Sequence, residues 1–348
     1  MSKSVFVAMS GGVDSSVTAA LLKQEGYHVV GVYMKNWSQD LPGHHCPWKE
    51  DYQDAKRVAV QLGIEFKMYD FEKEYRHKVV EYMIEEYKAG RTPNPDIMCN
   101  QEVKFKLFLN TALAEGADFI ATGHYSRVVD DQLMVGLDKN KDQSYFLYRV
   151  KKSALKKTIL PIGNYEKPEI RKMAKALGLV TADKKDSQGI CFVGKVGIRD
   201  FLSEYVKTKP GNIIDQHSKI IGQHDGALFY TIGQRQGLHV GGGLPYYVVG
   251  KDMTKNEVYV TTDLQDNRLW SKELSLSDMH WIDKPENDMS NLNIRTRYRA
   301  KLTPITAINK KNDNIWAISL KDDVRAVTAG QSAVIYNGEH VLGGGIVV

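Results

Sequence analysis

Ser10-Gly11-Gly12-Val13-Asp14-Ser15 lies between the β-rich run Ser4 to Met9 and the helical pattern Ser15 to Gln24, and it decides the fold of this chain. Two glycines let the backbone turn tightly and approach an anion closely. The unpaired N–H groups and positive dipole end of the following helix attract phosphate, and Ser10 and Ser15 add hydroxyl donors. No Lys-Ser or Lys-Thr pair follows, so this is not the loop type that grips a transferable terminal phosphate. The same grammar continues outward through His28 to Met34, Asp51 to Leu62, Phe66 to Tyr69, Tyr75 to Lys88, Lys104 to Glu115 and Phe119 to Thr122. Alternating strand and helix patterns predict an α/β domain with a parallel sheet covered by helices. Lys167 to Leu177 has helical spacing and stops at Gly178.

Beyond about Tyr205 the pattern becomes short β-type runs separated by Gly, Asn and Asp. Strands are expected at Tyr246 to Val249, Glu257 to Thr261, Asn293 to Lys301, Ile315 to Leu320 and Ala333 to Tyr336. The expected organisation is a nucleotide-binding catalytic domain over 1–206, a small middle domain over 207–271 and a C-terminal β-barrel over 272–348. With 348 residues, 42% hydrophobic and 26% charged, the chain has the composition of a folded globular protein of two or three domains. It contains no apolar run of membrane-spanning length and no signal-peptide pattern at its start, which predicts a cytoplasmic protein. A net charge of +5 is compatible with a polyanionic partner.

Three cysteines, Cys46, Cys99 and Cys191, are too few for a disulfide scaffold. Cys99 follows Thr92-Pro93-Asn94-Pro95-Asp96-Ile97-Met98, which puts a carboxylate and a thiol three residues apart just before a helical pattern. A thiol near a helix N-terminus ionises more readily and becomes a nucleophile. Cys191 lies in Asp186-Ser187-Gln188-Gly189-Ile190-Cys191-Phe192. Taken alone, each cysteine reads more readily as a buried small hydrophobe than as a catalyst. Cys46, beside His44 and His45, reads as a loop thiol, and no metal site is expected. Gly123, in Ala121-Thr122-Gly123-His124-Tyr125, permits close approach to a nucleotide, whereas His124 reads as structural. Gly241 to Gly243 and Gly343 to Gly345 are expected in turns or bulges between strands. Tyr75, Tyr82 and Tyr87 are expected to pack rather than stack on bases.

The loop resembles that of the ATP-pyrophosphatases, which cleave ATP between its α- and β-phosphates. Several motifs in order resemble the bacterial tRNA-specific 2-thiouridylase family almost from end to end. They are the loop, Thr92 to Cys99, Asn100 with Lys104-Phe105, Ala121 to Tyr125, Asp142 to Leu147, Ser187 to Phe192 and Tyr230-Thr231-Ile232-Gly233-Gln234-Arg235. The resemblance implies an adenine-nucleotide alpha-hydrolase-like N-terminal domain. It places ATP, with Mg²⁺, against Ala8, Met9, Ser10, Gly11, Gly12, Val13, Asp14, Ser15, Met34 and Gly123. It sets Asn94, Pro95 and Asp96 at the target base, makes Cys99 the nucleophile and Cys191 the persulfide carrier, and allows a disulfide between them after sulfur release. Asp96 is the expected general acid or base. Lys141, Asp142, Gln143, Arg297 and Tyr298 are implied at tRNA, with Lys, Glu and Gln isoacceptors as substrates and a cysteine desulfurase or sulfur-relay protein as donor. Hydrosulfide release and direct persulfide attack both stay open.

In Asn293-Ile-Arg-Thr-Arg-Tyr-Arg-Ala-Lys301 the cations Arg295, Arg297, Arg299 and Lys301 recur every second residue. A strand would gather them on one face, facing RNA phosphates or simply solvent. Two other classes compete with the thiolation enzyme: a pyrophosphate-loop ligase acting on a small carboxylate or amide, and a tRNA-binding protein without catalysis. The paired cysteines weigh against the first and the intact loop against the second.

Overall fold

The computed structural model describes residues 2–41, 45–186, 197–241, 243–285 and 289–348. Cys191 and the whole of Ser187 to Phe192 lie outside the described residues, as does His44. The N-terminal part carries a five-stranded parallel sheet. Its order is Glu65–Asp70, His28–Lys35, Ser4–Ala8, Phe119–Ala121, Thr158–Ile159. Successive side chains of the central strand point to opposite faces. Val5 and Val7 pack with Val17 and Leu22 of helix Val13–Gln24 and with Ile170 and Ala174 of helix Lys167–Ala176. Phe6 and Ala8 pack with Val103, Phe108 and Ala112 on the other side. Burial on both faces explains why these strands are apolar throughout rather than alternating.

The order reverses between Ser4–Ala8 and Phe119–Ala121: the chain runs outward from the first to His28–Lys35, and returns on its other side. Open parallel sheets bind ligands at the carboxyl ends of strands at such a switch point. The loop from Met9 and the loop from Thr122 both leave there.

A four-stranded sheet follows, ordered Tyr247–Asp252, Glu257–Thr261, Gly211–Ile214, Ile220–His224, around Ile213, Val248, Val258 and Val260. The C-terminal part is a closed antiparallel barrel of six strands: Trp270–Trp281, Ile315–Arg325, Thr303–Lys310, Leu292–Arg295, Ser332–Asn337 and His340–Val347. Pairing of the first strand with the last closes it. The first barrel strand begins at Trp270, so the expected cut at Ser271 falls on its second residue.

Gly343 to Gly345 lie inside the closing strand at the register shifts it makes with both neighbours, so of the two settings expected the bulge holds and the turn does not; a Cβ on Gly344 would meet the Ala333 carbonyl oxygen at 2.3 Å, so the close approach of neighbouring backbone requires glycine there. Asn293 to Lys301 is not one strand, because pairing stops at Arg295 and the chain turns through Arg299 at φ +62°. The hairpin Ser126–Val129 and Gln132–Val135 was not anticipated. It turns at Asp130 and Asp131, both at positive φ, and joins the barrel sheet where His340 pairs with Met134.

Candidate active site

The loop is held open by its own hydroxyls. Ser15 Oγ accepts from the Ser10 N–H (3.2 Å) and donates to the Gly12 carbonyl (3.1 Å), and Ser16 Oγ donates to the same carbonyl (2.8 Å). Gly11 stands at φ +75°, and a Cβ there would lie 2.3 Å from the Asp51 carbonyl oxygen on helix Trp48–Leu62. Gly12, at φ −95°, would place a Cβ no closer than 3.5 Å to the Ser10 hydroxyl. Gly11 is therefore the position where sterics demand glycine. Asp14 points at neither solvent nor a metal cage: its carboxylate accepts from Tyr125 Oη (2.7 Å) and from Lys167 Nζ (2.7 and 2.8 Å). Lys167 Nζ also reaches Asp186 at 2.8 Å.

Gly123 faces this loop from the neighbouring strand end. A Cβ on it would lie 2.9 Å from Ser15 N, so its glycine lets the two loops meet. Beside it His124 is buried, hydrogen-bonded to Thr122 Oγ1 at 2.6 Å and held neutral because burial lowers its pKa far below the ordinary histidine value. That is the structural role expected of it. Its ring packs against Phe105 at 5.7 Å. Phe105 belongs to the helical run that starts at Pro95, continues as a π-helix over Cys99–Phe108 and ends at Ala114. Met34, at the end of the second strand, is half-buried against the core on the same side as Cys99.

That helix corrects the expected setting of Cys99. Asn94, not a residue near the cysteine, caps it by accepting from the Ile97 N–H at 3.4 Å, and Pro95 occupies the first turn. Cys99 lies in the second turn, where its N–H already donates to the Pro95 carbonyl. Activation by a helix N-terminus falls off within the first turn, so it reaches Asp96 rather than Cys99. Asp96 and Cys99, three apart on the helix, are neighbours on its surface. Burial pushes the Asp96 carboxyl above the usual aspartate value, while the Lys104 ammonium pulls partly back; the same ammonium acts on His124. Next to the thiol, Asn100 donates to the Phe146 carbonyl (3.1 Å), and its buried Oδ1 has no partner among the described residues.

The residues expected at RNA are committed internally. The Asp142 carboxylate, 5% exposed, accepts from the N–H groups of Gly136 (3.0 Å) and Ser144 (3.1 Å), from Ser144 Oγ (3.0 Å) and from Arg295 (3.3 Å). Lys141 pairs with Asp186 at 2.8 Å, and Gln143 accepts from the Tyr125 N–H at 2.9 Å. Arg297 donates to the Ile232 and Ala326 carbonyls (2.8 and 2.7 Å) and to Thr328 Oγ1 (2.8 Å), joining the middle sheet to the barrel. Tyr298 packs on Phe146 at 4.6 Å. The three arginines do not form one solvated face: Arg295 and Arg297 are partly buried and bonded to different segments, and Arg299, exposed, donates to the Asn140 carbonyl.

Cys46 is half-buried with Sγ 3.7 Å from the Trp37 carbonyl, and burial raises its pKa, as suits a loop thiol. Sequence reasoning missed Lys167, Arg171 and Tyr125 as parts of the site. Lys167 was visible only as a helix start, because its partners lie 153 residues away at Asp14 and, at Asp186, on the far side of its own helix.

Among protein families, residues 3–195 match the tRNA methyl transferase HUP domain, 199–262 the tRNA methyl transferase PRC-barrel domain and 271–347 the aminomethyltransferase beta-barrel domain. Among characterised relatives, a tRNA-specific 2-thiouridylase MnmA of Enterococcus faecalis is 45% identical over 99% of this chain and 94% of its own. One of Salmonella arizonae is 48% identical over 99% and 96%. A solved 4-thiouridine synthetase–RNA complex with bound ATP overlays 59% of this chain and 50% of that one, at 18% identity and a TM-score of 0.40.

Proposed function

The chain belongs to the tRNA-specific 2-thiouridylase family, and from that membership we propose that it is a tRNA-uridine 2-sulfurtransferase that uses ATP to replace the C2 oxygen of the wobble uridine with sulfur. One observation carries this reading beyond membership. The Gly123–His124 loop touches the nucleotide loop at Ser15 on one side and, through Phe105, the Asp96–Cys99 helix on the other. That contact supports a reading in which the nucleotide loop and the Asp96–Cys99 helix serve one site.

The uridine C2 oxygen attacks the α-phosphorus of ATP, and pyrophosphate leaves with the electron pair of the bridging oxygen. Backbone N–H groups of Ser10 to Ser15 and the start of helix Val13–Gln24 stabilise the phosphate charge. Asp96, whose raised pKa brings it nearer neutrality, takes or returns the proton that moves at the base. Asn94, Pro95 and the unpartnered Asn100 Oδ1 flank the position assigned to that base. Sulfur carried as a persulfide on Cys191 then reaches C2 and AMP departs. Either Cys99 first attacks Cys191 Sγ, closing the disulfide and expelling hydrosulfide that attacks C2, or the outer sulfur attacks C2 directly and Cys99 then attacks Cys191 Sγ, closing the disulfide and leaving the thiocarbonyl on the base. Among the described residues no group of three or more His, Cys, Asp or Glu side chains could cage a metal, and the Asp14 carboxylate is bonded to Lys167 and Tyr125. Mg²⁺, bound with ATP, would supply charge neutralisation on the phosphates.

The substrates in this reading are tRNAs for Lys, Glu and Gln, the sulfur comes from a desulfurase or relay protein, and the work is cytoplasmic. Among the described residues no helix is long and apolar enough to cross a membrane. The test is nucleoside mass analysis of unmodified tRNA incubated with the protein, Mg²⁺, a persulfide donor and either ATP or AMP. 2-Thiouridine with ATP alone supports the reading; none, or an equal yield with AMP, refutes it.

A further inference from the structure

Two arginines away from the nucleotide loop carry charge that no carboxylate takes up. Arg235 and Arg325 are exposed, and among the described residues neither guanidinium makes an ion pair or a hydrogen bond. Arg325 instead lies over the Tyr247 ring, 4.8 Å from its centre. The acidic residues around it do not answer its charge: Asp322 and Asp323 form no ion pair among the described residues, and Asp266 is held by Arg268 at 2.7 Å. A guanidinium stacked on a ring keeps its N–H edge free in a fixed plane, and that edge matches two oxygens of a phosphate.

Both residues converge on the seam between the middle sheet and the barrel. The Gly233 N–H donates to the Val248 carbonyl (2.7 Å) and the Val248 N–H to the Gln234 carbonyl (3.0 Å), which sets Arg235 beside the strand that starts at Tyr247. Gly233, at φ +80°, packs so closely on Ala326 that a Cβ would lie 2.5 Å from the alanine Cβ, and Arg325 is the residue before it. The turn is pinned by Gln234, whose Oε1 accepts from the Thr231 N–H (3.0 Å) and whose Nε2 donates to the Gln236 carbonyl (2.9 Å). Arg297 occupies the same seam on the Ile232 and Ala326 carbonyls. Burial is the main cause that lowers its pKa, and the Arg325 charge acts in the same direction, so these two guanidiniums are close enough to repel. Three arginines at one seam, none of them paired with a carboxylate among the described residues, favour an anion there.

The seam also borders the segment assigned to the target base. Thr231 Oγ1 and Thr92 Oγ1 share a hydrogen bond (3.2 Å), the Thr92 N–H donates to the Ala329 carbonyl (2.8 Å), and Gln331 Nε2 donates to the Thr92 carbonyl (2.8 Å). Thr92 stands two residues before Asn94. We propose that Arg235 and Arg325 form a phosphate clamp for the RNA strand that carries the target uridine, gripping backbone phosphates near that nucleotide while Asn94 to Asp96 meet its base. The inference rests on the reading that tRNA is the substrate, and it gives the middle sheet a share in binding it. Phosphate contacts fix register and orientation without reading sequence, which is what an enzyme needs in order to hold one nucleotide of a folded RNA over its reacting groups.

The experiment is binding of unmodified tRNA, and of an isolated anticodon stem-loop carrying the target uridine, across a salt series. It compares full-length wild type, Arg235→Gln, Arg325→Gln and Arg325→Lys, with the denaturant midpoint as the check on folding. Each Gln variant should bind both RNAs about fivefold more weakly at low salt, and its slope of log affinity against log salt should shrink by about 0.7 to 0.9, the counterions released at one phosphate contact. Arg325→Lys should keep the wild-type slope because the charge remains, and all midpoints should match wild type. If Arg325→Gln does not fold, Arg235→Gln, on an exposed turn, decides. Unchanged affinity and slope in the folded Gln variants overturn the clamp, and a loss confined to full-length tRNA overturns its place beside the target uridine. An equal loss in Arg325→Lys overturns the charge role of Arg325 and marks packing on Tyr247. A wild type that binds neither RNA overturns the tRNA reading itself, whereas wild-type binding with unaffected variants overturns the clamp alone.

Discussion

At Ser10 to Ser15 the backbone is shaped by residues close in sequence, whereas at Arg295 to Arg299 the side chains are held by residues far away in the chain. The loop is fixed by Ser15 and Ser16 hydroxyls on Gly12 and by a positive φ at Gly11. The arginines are fixed by Asp142, Ile232, Ala326 and Thr328. A short pattern specifies geometry when the forces that set it are local, and fails when tertiary partners compete for the same groups. Period-two spacing of cations promised one charged face; pairing ended after Arg295, and each guanidinium found its own acceptor.

The sharpest way to break this contrast is Gly11→Ala. A methyl group 2.3 Å from the Asp51 carbonyl, on a backbone at φ +75°, forces the loop or helix Trp48–Leu62 to move. ATP-dependent pyrophosphate release should fall at least about a hundredfold, because preorganised donors near the phosphate are worth that much. Binding of tRNA should change by less than about twofold, since the residues expected at tRNA lie outside the loop. Gly12→Ala should be the milder variant. Equal effects at the two glycines would show that neither the positive φ at Gly11 nor its close approach to Asp51 sets the loop.

Arg297 tests the other side of the comparison. Arg297→Glu puts a carboxylate against the Ile232 and Ala326 carbonyl oxygens and should cost about 3 kcal/mol of stability or more, read as a denaturant midpoint. Arg299→Glu, at an exposed turn, should stay within about 0.5 kcal/mol. If both leave the midpoint unchanged while weakening tRNA binding and flattening its salt dependence, the residues form the solvated cationic strip after all.

The smallest effect is expected at Asp96. Its folded-state pKa is raised, so the folded protein binds more protons than the unfolded chain between the usual aspartate value and the raised one. The ionised carboxylate therefore costs stability above that window, and the cost disappears as pH falls through it. Asp96→Asn should melt a few degrees higher at pH 8, with the gain shrinking toward pH 4, while the low-pH limb of the thiolation rate profile is lost with the carboxylate. A lower melting point at pH 8 would contradict the sign.

The parallel sheet was legible because its central strands are apolar on both faces and alternate with helical patterns, some ending at a glycine such as Gly63 or Gly178. The barrel was legible from its short, evenly spaced strands, and pairing of Trp270–Trp281 with His340–Val347, about seventy residues apart, closes it; which strands pair was not legible, because that is set by contacts so distant in the chain. The strand–turn–helix setting of the loop and the close backbone approach at Gly123 were readable from residue type and position. Lys167 was not, because a lysine at a helix start reads as an exposed charge until its carboxylates are known. The setting of Cys99 was misjudged: Pro95 can open a helix, and it does so ahead of the helical pattern read from Lys104 to Glu115, which puts Cys99 inside the helix rather than just before it.

The central claim, that two cysteines move sulfur onto a base activated at the loop, is tested most directly by loading the protein with labelled persulfide, adding tRNA and ATP, and following intact mass and 2-thiouridine together. Cys191→Ser should take up no active-site label and make no 2-thiouridine while still releasing pyrophosphate. Cys99→Ser should load and then stall, and Cys46→Ser should match wild type. Thiolation at the wild-type rate by either Cys99→Ser or Cys191→Ser would contradict the account.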